Sequence, residues 1–271
     1  MKSSNLFILL LLFVCSSCLQ KTGKEDTNSS RTDLNPSKIE SNEKPKTSNP
    51  WLEAVRSKNP NEIRAIYADK SVKVISADSI IFGATSIADY YINQSAEINE
   101  SESLFLIEAN KHEGIDYEIV SYKTKDSEEY VQVVVWKSIE GKKVREFEYD
   151  AKRDISIPDG YIDQISKARN LWIQLCNEHN AEHLVSKLYT SNAIYFNHKP
   201  LVIGTEAISK EYRYMNSDTY NLTLEPLKTE MVTDNIAFEI GQCKGSYGGK
   251  YVIVWQKEAE GNWKVFIDSN F

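Results

Sequence analysis

The chain has 271 residues, a formal net charge of −7 and 41% hydrophobic residues, with 15 Tyr and 5 Trp. That length fits about two domains of roughly 100–150 residues, with enough apolar and aromatic side chains to build a core in each. An acidic chain repels phosphate backbones, which argues against nucleic acid as a partner.

The N-terminal 17 residues read as a targeting segment and stay out of fold reasoning. Lys2 supplies a positive start, and Leu6 to Val14 form an apolar run of nine residues. Such a run is too short to span about 30 Å of hydrocarbon as a helix. Ser16 and Ser17 then precede Cys18. Small residues just before a cysteine resemble the bacterial lipobox, in which signal peptidase II cuts before the Cys and the Cys carries a thioether-linked diacylglycerol. The resemblance implies lipidation at Cys18, although Cys15 stands where the box usually has Leu. A cysteine bearing two or three palmitate-like chains buries enough CH₂ groups for stable anchoring. The expected location is therefore the bacterial cell envelope, lipid-anchored on a periplasmic or surface face.

Residues 18–48 read as a tether. Gln20 to Asn49 contain no aromatic residue and are dominated by Lys, Glu, Asp, Ser, Thr and Asn, too polar to offset the entropy of ordering. About 30 flexible residues reach on the order of 30 Å. Lys21 to Asp26, KTGKED, faintly resemble the export signals of some surface lipoproteins. Cys176 falls in a helical pattern and Cys243 in a strand pattern, so the two are read as separate buried thiols.

From Trp51 onward the chain repeats itself at a spacing of about 120 residues, too long for a solenoid unit. Trp51 answers to Trp172, Asn59 to Asn180, Tyr67 to Tyr189, Gly83 to Gly204, Ile87 to Ile208 and Tyr91 to Tyr212. Glu118-Ile119 then matches Glu239-Ile240, and Trp136 matches Trp255. The pattern gives a first domain over 49–153, a connector from Asp154 to Tyr161 with Pro158 and Gly160, and a second domain over 162–271.

Each copy opens with a helix, marked in the second by Ile165, Ala168, Trp172, Leu175 and Cys176 at three- and four-residue steps. Asn59 and Asn180 are expected to cap a second helix, with Pro60 at its first position. That helix is expected to end near Tyr67 or Tyr189. Short strands follow at Val72 to Ser76 and Ala193 to Asn197, with His198-Lys199-Pro200 as a turn. Gly83 and Gly204 lead into a third helix. The rest is strand: Asp116 to Tyr122, Tyr130 to Lys137 and Lys143 to Tyr149 in copy one, then Leu222 to Leu227, Asn235 to Cys243, Tyr251 to Lys257 and Trp263 to Asp268 in copy two. Glu140-Gly141 and Glu260-Gly261-Asn262 are hairpin turns. Helices first and an antiparallel-rich sheet afterwards mean α+β.

This order, with Trp at the start, Gly before the third helix, and Trp255 to Asp268 ending as W-x-x-x-x-x-G-x-W-K-V-F-I-D endings do, resembles the NTF2-like (SnoaL-like, cystatin-like) superfamily. The resemblance covers about 51–150 and 165–271, and copy one lacks the last Trp. It implies two tandem cones, each a curved sheet wrapped round helices with a pocket at the open end. Such folds host isomerases, dehydratases and binders without catalysis, so the fold does not settle the function.

Isomerases of that superfamily place a carboxylate base at the end of the first strand. The matching positions here are Asn197 and about Ile75, and neither side chain takes a proton at neutral pH. His198 beside Asn197 is the one candidate general base. Tyr91, Trp136, Tyr195, Tyr212 and Trp255, with Asn197, are the candidate pocket walls. Glu118 and Glu239 alternate with Tyr117/Ile119 and Phe238/Ile240, which puts the apolar pair on the core face and the glutamates toward solvent. Asp268 has no visible partner. His179 and His183 stand at metal-ligand spacing, but a cap at Asn180 breaks the helix between them. No metal and no cofactor are expected. The reading is a lipid-anchored binding module, without catalysis, for a small apolar ligand or a protein partner. The rival is an isomerase or dehydratase, and a purely structural or inhibitory partner protein is a third class. The chain is expected to be a monomer in which the two sheets pair internally.

Overall fold

The computed structural model describes residues 49–153, 156 and 159–270. The targeting segment, Cys18, the tether and most of the connector lie outside the described residues.

Each copy begins with two short helices fixed by asparagine caps. In copy one these are α1 (Pro50–Ser57) and α2 (Pro60–Arg64). The Asn49 side chain accepts from the amides of Trp51 and Leu52, and Asn59 accepts from that of Asn61, satisfying N–H groups that a helix start leaves open. Copy one continues through β1 (Tyr67–Ser76), β2 (Ser79–Phe82), α3 (Ala84–Asn93), β3 (Ile98–Asn110), β4 (Ile115–Thr124), β5 (Glu129–Ile139) and β6 (Lys142–Lys152). Copy two repeats the order with α4 (Tyr161–Cys176), α5 (Ala181–Leu188), β7 (Tyr189–Phe196), β8 (Val202–Ile203), α6 (Thr205–Glu211), a 3₁₀ turn (Tyr212–Asn216), β9 (Leu222–Met231), β10 (Ile236–Gly245), β11 (Lys250–Lys257) and β12 (Trp263–Asn270). Asn180 caps α5 as expected, accepting from the amide of His183.

The fold class is α+β. Each copy forms a six-stranded mixed sheet, in the orders β2-β1-β6-β5-β4-β3 and β8-β7-β12-β11-β10-β9. Only the β1–β6 and β7–β12 pairs are parallel. The second helix of each copy ends near the expected tyrosine, α2 at Arg64 and α5 at Leu188 with Tyr189 as its C-cap, and Tyr67 and Tyr189 themselves open the next strands. Strands β2, β3 and β8 were not expected. Gly83 and Gly204 sit at φ +86 in equivalent places, where the chain leaves a short strand for a helix. Only glycine adopts that backbone without strain, which explains why the repeat keeps it.

Alternation along the strands makes two apolar faces per sheet, not one. The helix-covered faces enclose one core around Trp51, Ile63, Ile87 and Tyr91 and another around Trp172, Leu184, Ile208 and Trp255. The opposite faces meet each other. Val72, Val133, Phe147 and Tyr149 of copy one join Ile194, Phe238, Val254 and Ile267 of copy two in a shared core. Phe147 stacks on Phe196 with centroids 4.9 Å apart, and Tyr149 lies edge-on to Phe238 and Phe266 at 5.7 and 5.6 Å. Such aromatic pairs each add about 0.5–1.5 kcal/mol beyond area burial. Arg153 ties the rim by pairing with Glu129 at 2.8 Å and with Glu230 of copy two at 2.7 Å.

Cys176 and Cys243 are both buried and unbridged, and burial pushes each thiol up to about 12. Among the described residues no helix is long and apolar enough to cross a membrane.

Candidate functional site

Each helix-covered interior has a polar heart at the same place in the sheet. In copy one it is Glu148 on β6, fully buried. Its carboxylate accepts from Tyr67 at 3.0 Å, Tyr91 at 2.7 Å and Arg145 at 2.8 Å, and Lys73 lies 3.2 Å away. Lys73 also contacts Asp150, which accepts from Tyr122 at 2.7 Å. Two cations thus face two carboxylates. Burial alone would raise the Glu148 carboxyl, but Lys73 and Arg145 outweigh it and hold the group below its ordinary range. Burial works against the charged amine of Lys73, yet Asp150 and Glu148 carry its pKa well above the usual value. A buried pair of this kind stays ionised because every charge has a partner.

Copy two has Tyr195 and Val265 where copy one has Lys73 and Arg145. The parallel ladders place Lys73 beside Glu148 and Tyr195 beside Asp268, and Arg145 beside Tyr67 and Val265 beside Tyr189. Among the described residues Asp268 therefore has hydroxyl donors alone, Tyr189 at 2.6 Å and Tyr212 at 2.5 Å. Burial pushes its carboxyl up to about 6, and those two hydrogen bonds pull it only part of the way back. Tyr189 in turn accepts from Trp172 at 3.0 Å, as Tyr67 accepts from Trp51 at 3.0 Å.

Glu239 corrects the solvent-facing expectation. It is fully buried and takes a two-pronged contact from Arg169 at 2.8 and 2.5 Å, with Tyr251 at 3.0 Å and Thr229 at 3.1 Å. Glu118 is half-buried and accepts from Trp136 at 2.7 Å. The face away from the shared core is itself covered by helices, so alternation sent these glutamates inward. In copy two Arg169 occupies Glu239, and the buried Trp255 N–H has no partner among the described residues.

Of the expected pocket walls, Tyr91, Tyr195, Tyr212 and Trp255 are buried in these two cores, and Trp136 is half-buried beneath Arg145. Asn197 donates to Tyr195 at 3.3 Å and lines an open cavity of about 510 Å³ with Lys111, Tyr247 and Asn270. His198 lies elsewhere, in the left-handed region at φ 60, between β7 and β8. Its Nδ1 contacts Glu146 of copy one, and burial holds its pKa below the ordinary value. The ring is thus neutral at pH 7, with a carboxylate behind it that fixes its orientation.

His198 and Glu146 belong to the wall of a cavity of about 1080 Å³ between the copies. That is slightly above the range of about 300–1,000 Å³ typical of ligand pockets. Copy one contributes Val72, Phe82, Ile139 and Val144, and copy two contributes Phe196, Leu201 and Ile203. Phe82, Ile139 and Ile203 are 57%, 44% and 46% exposed, apolar side chains of the lining left facing water. Phe82 precedes Gly83 and Ile203 precedes Gly204, so the repeat delivers equivalent residues from both outer strands to the same place. The doubled hydrophobic-Gly pair was the signal in the sequence, but only the pairing of the copies makes it a site.

No family model matches the chain, and no curated protein matches it. Among solved structures the chain is similar to a ketosteroid isomerase-like protein from Erwinia carotovora atroseptica, at 13% identity and TM-score 0.36, over 42% of this chain and 96% of that one. It is similar to an NTF-2 like protein of unknown function from Shewanella oneidensis, at 12% identity and TM-score 0.36, over 41% and 98%. It is also similar to a putative scytalone dehydratase from Novosphingobium aromaticivorans, at 13% identity and TM-score 0.35, over 41% and 82%.

Proposed function

We propose that this chain is a lipid-anchored binding module of the cell envelope that holds a small apolar ligand, without catalysis, in the seam between its two copies. One observation carries the reading. The expected wall residues Tyr91, Tyr195, Tyr212 and Trp255 are buried in the helix-covered cores, whereas three exposed apolar residues from both copies line the seam cavity. In copy one the interior carboxylates are already matched by cations, so a substrate would have to displace internal ion pairs. In copy two Asp268 is sealed beneath Tyr189 and Tyr212.

Anchoring is tested by replacing Cys18 with Ser and fractionating cells. The reading expects the variant to leave the membrane fraction, and a variant that stays there at the wild-type level contradicts it.

A second reading, an isomerase- or dehydratase-type enzyme, draws on a different observation. His198 is a neutral ring on an apolar wall with Glu146 orienting it, the arrangement of a general base. Product formed from any bound compound, and lost in His198→Ala with binding retained, would favour catalysis over binding alone.

A further inference from the structure

We propose that the seam cavity takes a free single-chain amphiphile with an anionic head, of the fatty-acid class. The inference rests on the reading that the seam, and not either interior, is the binding site. The apolar wall, with the exposed Phe82, Ile139 and Ile203 in its lining, is the kind of surface a hydrocarbon chain covers.

The charges select the head. Lys70, Lys137, Lys142 and Lys199 line the cavity against Asp69, Glu140 and Glu146. With His198 neutral the lining carries one positive charge in excess, on a chain whose net charge is −7. The local sign is reversed, and the complement is an anion. Glu146 is engaged by His198 and by Lys137 at 3.3 Å. Lys142 reaches the Ala65 carbonyl at 2.6 Å. Among the described residues Lys70 and Lys199 have no ion-pair partner, so these two amines are available to a head group. The volume of about 1080 Å³ accommodates one amphiphile with its head group, and the proposed occupant is the free single chain, with the two-chain membrane lipid as the alternative that the test separates.

The test uses residues 19–271, which keep every described residue, produced without lipid and purified without detergent. A polyene fatty acid whose fluorescence rises on leaving water is the probe. Dodecanoate, dodecanol and dodecyltrimethylammonium compete for it, alongside vesicles of phosphatidylglycerol. The expected result is displacement by dodecanoate at least about tenfold more effective than by dodecanol, with the cation weakest. Joint replacement Lys70→Gln and Lys199→Gln should remove that preference and leave dodecanol unchanged. Ile139→Asp, and separately Phe82→Ser, should abolish binding of both; each site is exposed, and an unchanged thermal midpoint shows that the fold is kept. Dodecanol or the cation competing as well as dodecanoate would overturn the head-group inference while the seam reading stands. Vesicles displacing the probe better than dodecanoate would overturn the free single-chain class. No probe binding, or binding indifferent to both apolar replacements, would overturn the seam reading itself.

Discussion

One substitution between the copies sets the chemistry of each interior. Where copy one has Lys73 beside Glu148, copy two has Tyr195 beside Asp268. A cation next to a buried carboxylate keeps it ionised, and a phenol does so far less well. The consequence is a pH dependence peculiar to copy two. The folded pKa of Asp268, about 6, lies above the ordinary 3.8. Its contribution is therefore complete below about pH 3.8 and is lost as pH rises through about 6. At 1.36 kcal/mol per unit this amounts to roughly 3 kcal/mol. Asp268→Asn should remove it. Urea midpoints from pH 4 to 8 should show a flatter acidic-to-neutral profile in the variant, and an unchanged slope would contradict the assignment. None of this was legible in the sequence. The partners of Asp268 lie 56 and 79 residues away, and Glu239 met Arg169 only through a helix crossing its face.

At the scale of the elements, the paired strands show how two copies keep one shape with different side chains. Val120 faces Gln132 across β4 and β5, and the equivalent pair on β10 and β11 is Gly241 and Tyr251. The larger ring in copy two fits because its neighbour has no side chain. A Cβ on Gly241 would lie 2.2 Å from the Tyr251 ring. Gly241→Ala should cost about 1–3 kcal/mol through overpacking. Adding Tyr251→Gln, which restores the copy-one side chain, should recover part of that loss. Additive losses in the double variant would show that the two sites are not coupled. Most strands were legible because β4 to β6 and β9 to β12 carry alternating apolar residues. The edge strand β3 was not, since it pairs only with β4 and much of it is exposed. Tyr67 and Tyr189 mark both the end of the second helix and the start of a strand, because their rings point into the helix-covered core while their backbones already belong to the sheet.

For the whole molecule, the faces of the two sheets that lack helices already cover each other in the shared core. We therefore propose that residues 19–271 are a monomer at micromolar concentration. Light scattering should give the mass of one chain, and a stable dimer would contradict the proposal. The duplication, and with it the α+β order, was legible from the repeated Trp, Asn, Gly and Tyr positions. The seam was not, because its walls come from segments about 120 residues apart whose meeting depends on how the sheets pack. Where a ligand sits is measured most directly in a crystal of the protein soaked with dodecanoate carrying a terminal bromine. The expected anomalous peak lies between Phe82, Ile139 and Ile203. A peak instead among Tyr195, Tyr212 and Trp255, inside the helix-covered interior of copy two, would contradict the account.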